Sequence, residues 1–119
     1  MSSTRQAEMF VALAIAQGLI RNKYQVETEV RLQSGRRADL LAYKANETFV
    51  VELKVVQDES LVQRAVAEAR RQLQKLPEIE GFVAVGVQSA QTIYLDELLR
   101  KKMKFTSDDF KAKILRSTS

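Results

Sequence analysis

The sequence predicts an α/β fold with its elements in the order α-β-β-β-α-β. Three observations predict it: an apolar helical run at residues 9–20, a polar turn at residues 44–47 between two apolar strands, and an amphipathic run over residues 60–76 followed by another apolar strand. At 119 residues and 45% hydrophobic, the chain can bury one core without staples, so residues 1–119 read as a single domain.

The first helix runs from Ser3 or Thr4 to about Arg21, with Ser3 and Gln6 spaced as a capping box. Its apolar stretch is broken by Gln17 and Gly18, is too short to cross a bilayer and follows no charged leader. It reads as a buried helix, with no export or membrane signal. A strand over residues 24–32 alternates Val26, Thr28 and Val30 with charged and polar residues, which leaves one face wet. Residues 36–43 and 48–56 then form a hairpin about Lys44-Ala45-Asn46-Glu47, where Asn46 is the residue best suited to positive φ. The second helix begins near Ser60, with Ser60 and Gln63 as another capping box, carries Val62, Ala65, Val66, Ala69, Leu73 and Leu76 on one face, and stops at Pro77. Residues 81–87 read as a strand covered on both sides. A short strand at residues 92–95, a helix at 96–104 and a last helix at 107–115 complete the chain.

The hairpin carries the chemistry. An even loop centred on Ala45-Asn46 pairs Tyr43 with Thr48 and Leu41 with Val50, and sets Asp39 opposite Glu52. Opposed residues have Cβ atoms roughly 5 Å apart. Two carboxylates at that spacing can share one cation, and without a cation they repel. Glu52 and Lys54 leave the same face of an otherwise apolar strand. An odd loop without a bulge would turn Asp39 to the other face. Taken alone, Glu52-Leu53-Lys54 also fits a solvated ion pair on an edge strand.

Composition narrows the chemistry further. The chain has no cysteine, hence no disulfide framework and no thiolate metal site, which fits a reducing cytoplasm. It has no histidine, which excludes imidazole-based zinc sites and Ser-His-Asp catalysis. Any acid-base or metal chemistry here must therefore run on carboxylates, lysine and a hard, oxygen-loving cation, Mg²⁺ or Mn²⁺.

Gly35-Arg36-Arg37-Ala38-Asp39-Leu40-Leu41 followed by Glu52-Leu53-Lys54 resembles the PD-(D/E)xK nuclease superfamily, with Ala38 where proline is usual. Residues 24 to about 72 look like the nuclease-like domain attached to certain predicted AAA-type ATPases and, more distantly, like archaeal Holliday-junction resolvases. The resemblance implies a restriction endonuclease-like αβββαβ core with a central mixed sheet flanked by helices. It implies that Asp39, Glu52 and the backbone carbonyl of Leu53 bind the metal, and that Lys54 orients or helps deprotonate the attacking water. Glu8 is the third carboxylate on this reading, although an acid there also complements a helix dipole. Gln72 matches a glutamine that relatives place near the site, yet Leu76 stands where they commonly carry tyrosine, and a polar residue at the border of an apolar stripe is ordinary. Gln57 is a poorer match for the same role.

Basic residues indicate the partner. The formal charge is +4, Arg36 and Arg37 precede Asp39, and Arg64, Arg70, Arg71 and Lys75 share the second helix. A further run is Arg100, Lys101, Lys102 and Lys104. Such clusters attract phosphate backbones, and no helix-turn-helix, zinc finger or aromatic platform accompanies them to read bases. Together with the resemblance, which implies the chemistry, these features predict a Mg²⁺-dependent DNA endonuclease of little sequence specificity, acting as a homodimer where both strands are cut. The alternative is a noncatalytic nucleic-acid-binding module, or one that works only with a protein partner such as an ATPase or a mobile-element protein.

Overall fold

The structure, a computed structural model, describes residues 3–33 and 35–116, with side chains from residue 5 onward. The capping box expected at Ser3 lies outside the described side chains. Helix α1 spans Ser3–Arg21, followed by strands β1 (Gln25–Arg31), β2 (Arg37–Lys44) and β3 (Glu47–Val56). A 3₁₀ turn at Glu59–Leu61 leads into α2 (Val62–Gln74), then β4 (Glu80–Val87), β5 (Thr92–Asp96), α3 (Glu97–Lys102) and β6 (Lys111–Leu115).

The six strands form one mixed sheet in sequence order. The β1·β2, β2·β3 and β4·β5 pairs are antiparallel, while β3·β4 and β5·β6 are parallel. Parallel neighbours need a crossover, and α2 supplies it between β3 and β4. The helices therefore divide between the two faces. Val11, Ile15 and Leu19 of α1 and Leu99 of α3 pack with Leu40, Ala42, Phe49, Val51 and Phe82. Val62, Ala65, Val66 and Ala69 of α2 pack on Val83, Val85 and Val87. This is the α/β architecture of helices on both sides of a mixed sheet. Burying each large side chain of these layers is worth roughly 1.5–3 kcal/mol.

Four sequence expectations need correction. Helix α1 is not buried all round, because its buried stripe is Val11, Ile15, Gly18 and Leu19, with Ala14 partly covered beside it. Met9, Phe10, Leu13 and Ile20 remain 55–66% exposed, and several of them line an open apolar groove of about 670 Å³. In the hairpin, Ala45 rather than Asn46 takes positive φ, at 48°. Ser60 does not cap α2; the Asp58 carboxylate accepts from the Ser60 amide at 3.0 Å and starts the 3₁₀ turn instead. Residues 111–115 form strand β6, not a helix. Phe110, Ala112 and Ile114 alternate with Lys111 and Lys113, a period of two, and lysines suit an exposed sheet edge.

Candidate active site

The hairpin pairs Tyr43 with Thr48 and Leu41 with Val50, through a loop of Ala45 and Asn46. Its ladder stops at Leu40↔Val51, and one more step in the same register sets Asp39 opposite Glu52. At that step the backbone pairing is replaced by a side chain. The Leu53 amide donates to Asp39 Oδ2 at 2.8 Å. A strand residue directs its N–H and C=O to the same edge, so the Leu53 carbonyl faces this gap as well.

Asp39 also interrupts the pairing on its other side. The β1·β2 register runs Thr28↔Leu40 and then Val30↔Ala38, skipping Glu29 and Asp39. Glu29 sits there with φ 51°, a left-handed conformation that costs a non-glycine residue about 1 kcal/mol or more. Side-chain alternation reverses at the same place. Leu40 and Ala42 join the α1 core, whereas Ala38 joins Val50 and Leu76 beneath α2. Asp39 is thus set at a break in the sheet, beside a polar cavity of about 130 Å³ lined by Glu8, Ala12, Thr28, Glu29, Asp39 and Leu53.

Burial raises the Glu52 carboxyl from its ordinary 4.5 to about 7, the negative charge of Asp39 pushes the same way, and Lys54 partly opposes both. Lys54 occupies the same strand face, where Glu52 lies beside Val83 and Lys54 beside Val85 of β4, under α2. Its ion-pair partner is Glu68 of α2, at 3.5 Å.

A family model of the PD-(D/E)XK nuclease superfamily matches residues 6–95. The chain belongs to that superfamily. No curated protein matches it. The matched segment of this PD-(D/E)XK domain runs from α1 through β5 and contains every residue of the cavity and of the Asp39, Glu52 and Lys54 group.

The other candidates lie at varying distances from this centre. Glu8 borders the cavity, but among the described residues no three carboxylates gather closely enough to hold a metal by themselves. Gln72 is exposed on α2. Lys54 meets Glu68 and Val50 meets Leu76, so α2 crosses β3 in the opposite direction and Gln72 stands level with Glu52. Gln57 follows the end of β3, where its carbonyl accepts from the Ser89 amide at 2.9 Å. Arg36 is exposed, and Arg37 is paired with Glu29 at 3.0 Å. Arg64, Arg71 and Lys75 recur at helical spacing along one stripe of α2. Arg70 lies on the opposite flank, donating to the Arg116 carbonyl at 3.3 Å. In the run at residues 100–104, Lys102 is engaged by Glu47.

Glu29 and Glu68 border the site and were not among the residues singled out from the sequence. Strand alternation assigns Glu29 to the wet face of β1, and only its backbone conformation marks it. Glu68 did carry a signal, as the single acid within a basic helical stripe.

Proposed function

We propose that the chain is a Mg²⁺- or Mn²⁺-dependent nuclease that hydrolyses phosphodiester bonds in DNA as an endonuclease of little sequence specificity, residues 1–119 forming its one domain. The observation that carries this reading is the carboxylate pair Asp39 and Glu52 at the break in the sheet, with Lys54 on the same strand face. Two adjacent carboxylates that keep one group near neutrality by burial and repulsion are a donor set suited to a hard divalent cation. Asp39, Glu52 and the Leu53 carbonyl would hold it, with Glu8 across the cavity as the further oxygen donor. The cation would supply charge stabilisation at the scissile phosphate.

The chain's own groups do the rest. The Leu53 amide fixes Asp39 through its 2.8 Å hydrogen bond, which holds the carboxylate at the site before any substrate arrives. The Lys54 ammonium orients the attacking water and offsets the negative charge that grows on the phosphate oxygens. Gln72, exposed on α2, would donate to the substrate backbone. Arg36 and Arg37 beside Asp39, and Arg64, Arg71 and Lys75 along α2, supply cations for neighbouring phosphates. One chain offers one such centre, so cutting both strands calls for two copies in a symmetric dimer. The absence of cysteine fits a cytoplasmic setting, and no helix among the described residues is long and apolar enough to cross a membrane.

The test is cleavage of plasmid, linear, single-stranded and branched DNA with Mg²⁺ or Mn²⁺ at low salt, comparing wild type with Glu52→Ala and Lys54→Ala. Metal-dependent nicking that both substitutions abolish supports the reading. No cleavage of any substrate, with equal DNA binding by all three proteins, would favour a noncatalytic module.

A further inference from the structure

The only acid in the basic stripe of α2 touches the lysine of the site. Arg64, Glu68, Arg71 and Lys75 follow one another at helical spacing, and Lys54 Nζ lies 3.5 Å from Glu68 Oε1. A carboxylate in the middle of such a stripe weakens its attraction for phosphate, so nucleic-acid binding alone gives no reason for it. The ion pair gives one. Lys54 is 28% exposed and Glu68 50%, so the contact is set at the rim of the site, where water screens it only in part.

We propose that Glu68 is a positioning residue that anchors the Lys54 ammonium on the α2 side of the carboxylate pair. The proposal rests on the nuclease reading above. Around Lys54 stand Glu52 on its own strand and Glu68 on α2, with Asp39 beyond Glu52 on β2, while β4 presents Val83 and Val85. Without metal, the Glu52 and Asp39 pair draws the ammonium inward. A divalent cation held by that pair cancels this attraction and repels the lysine. Glu68, in contact with the ammonium from α2 and not one of the residues that would hold the cation, then remains as the carboxylate that keeps the lysine in place.

The experiment has two readouts on one set of variants: wild type, Glu68→Gln, Glu68→Asp and, as a distant exposed acid, Glu78→Gln. The first is the rate at which an amine-modifying reagent labels Lys54, measured by peptide mass spectrometry relative to Lys23, with and without millimolar Mg²⁺. Glu68→Gln is expected to label Lys54 roughly threefold faster, the size expected for loss of a half-exposed ion pair. Mg²⁺ increases that excess, while Glu68→Asp and Glu78→Gln stay near wild type. The second readout is steady-state cleavage, in which Glu68→Gln lowers kcat on the order of tenfold while KM does not rise, because a misplaced catalytic group slows the chemical step without weakening binding. Equal Lys54 labelling in wild type and Glu68→Gln under both conditions overturns the proposal, as does a wild-type kcat in Glu68→Gln. A wild type that cleaves nothing, with the labelling pattern intact, means that the anchor stands and the nuclease reading fails.

Discussion

Replacing Glu52 by Gln should stabilise the metal-free protein at alkaline pH and leave it unchanged in mild acid. Glu52 titrates near 7 in the folded state against an ordinary 4.5, because burial and the charge of Asp39 disfavour its ionised form. The folded protein therefore holds this proton more tightly than the unfolded chain does. The associated stability is fully present below about pH 4.5 and is lost as pH rises through about 7. The difference between 4.5 and about 7, at 1.36 kcal/mol per pH unit, sets an upper bound of about 3 kcal/mol, which solvent screening of this partly exposed group reduces to on the order of 2 kcal/mol. Gln is the neutral isostere, so Glu52→Gln escapes the penalty of ionising beside Asp39. Urea or thermal unfolding in a chelating buffer should show the two proteins alike near pH 4.5 and the variant ahead by on the order of 2 kcal/mol near pH 8, roughly 5–10 °C in Tm for a domain of this size. Adding Mg²⁺ should raise the wild type and leave the variant nearly unmoved. A stability difference that does not grow with pH, or a variant weaker at every pH, would show that the folded protein does not hold the Glu52 proton more tightly than the unfolded chain.

Other perturbations test the frame around the site. A Cβ at Gly86 would stand 2.6 Å from Val11 Cγ2. Gly86→Ala should therefore cost about 1–3 kcal/mol through overpacking between α1 and β4, read as a lower urea midpoint. Asp96 starts α3 by accepting the Leu98 amide at 3.0 Å. Asp96→Ala should cost about 1 kcal/mol in the same assay. For nucleic acid, Arg71→Ala should reduce the slope of log K against log salt by about 1, measured by fluorescence anisotropy on duplex DNA. Arg70→Ala should leave that slope unchanged, because its guanidinium is turned to the Arg116 carbonyl on the opposite flank of α2.

Much of the frame was legible because the deciding information is local. The two-residue turn and the period of two on either side specify the pairing of Tyr43 with Thr48 and Leu41 with Val50, and hence the approach of Asp39 to Glu52. What was missed depends on tertiary contacts. Glu68 meets Lys54 only because α2 crosses β3 in the opposite direction, a relation that no spacing within either element encodes. The strained Glu29 is set by the break in the ladder across from Asp39, not by any preference of glutamate. Helix α1 is apolar on all sides, yet the sheet covers one stripe of it, so composition overstated its burial. The last segment was expected as a helix, whereas Ala112 and Ile114 alternate with Lys111 and Lys113 in a strand that lies parallel to β5, a pairing set by tertiary contact.

The central claim is that Asp39 and Glu52 form one divalent-cation site. Calorimetric titration of Mn²⁺ into wild type and into Asp39→Asn, in the absence of nucleic acid, tests it most directly. The wild type should bind saturably and the substitution should abolish binding, with protons released near neutral pH as Glu52 ionises. Binding of equal affinity in both proteins, or none in the wild type, would contradict it.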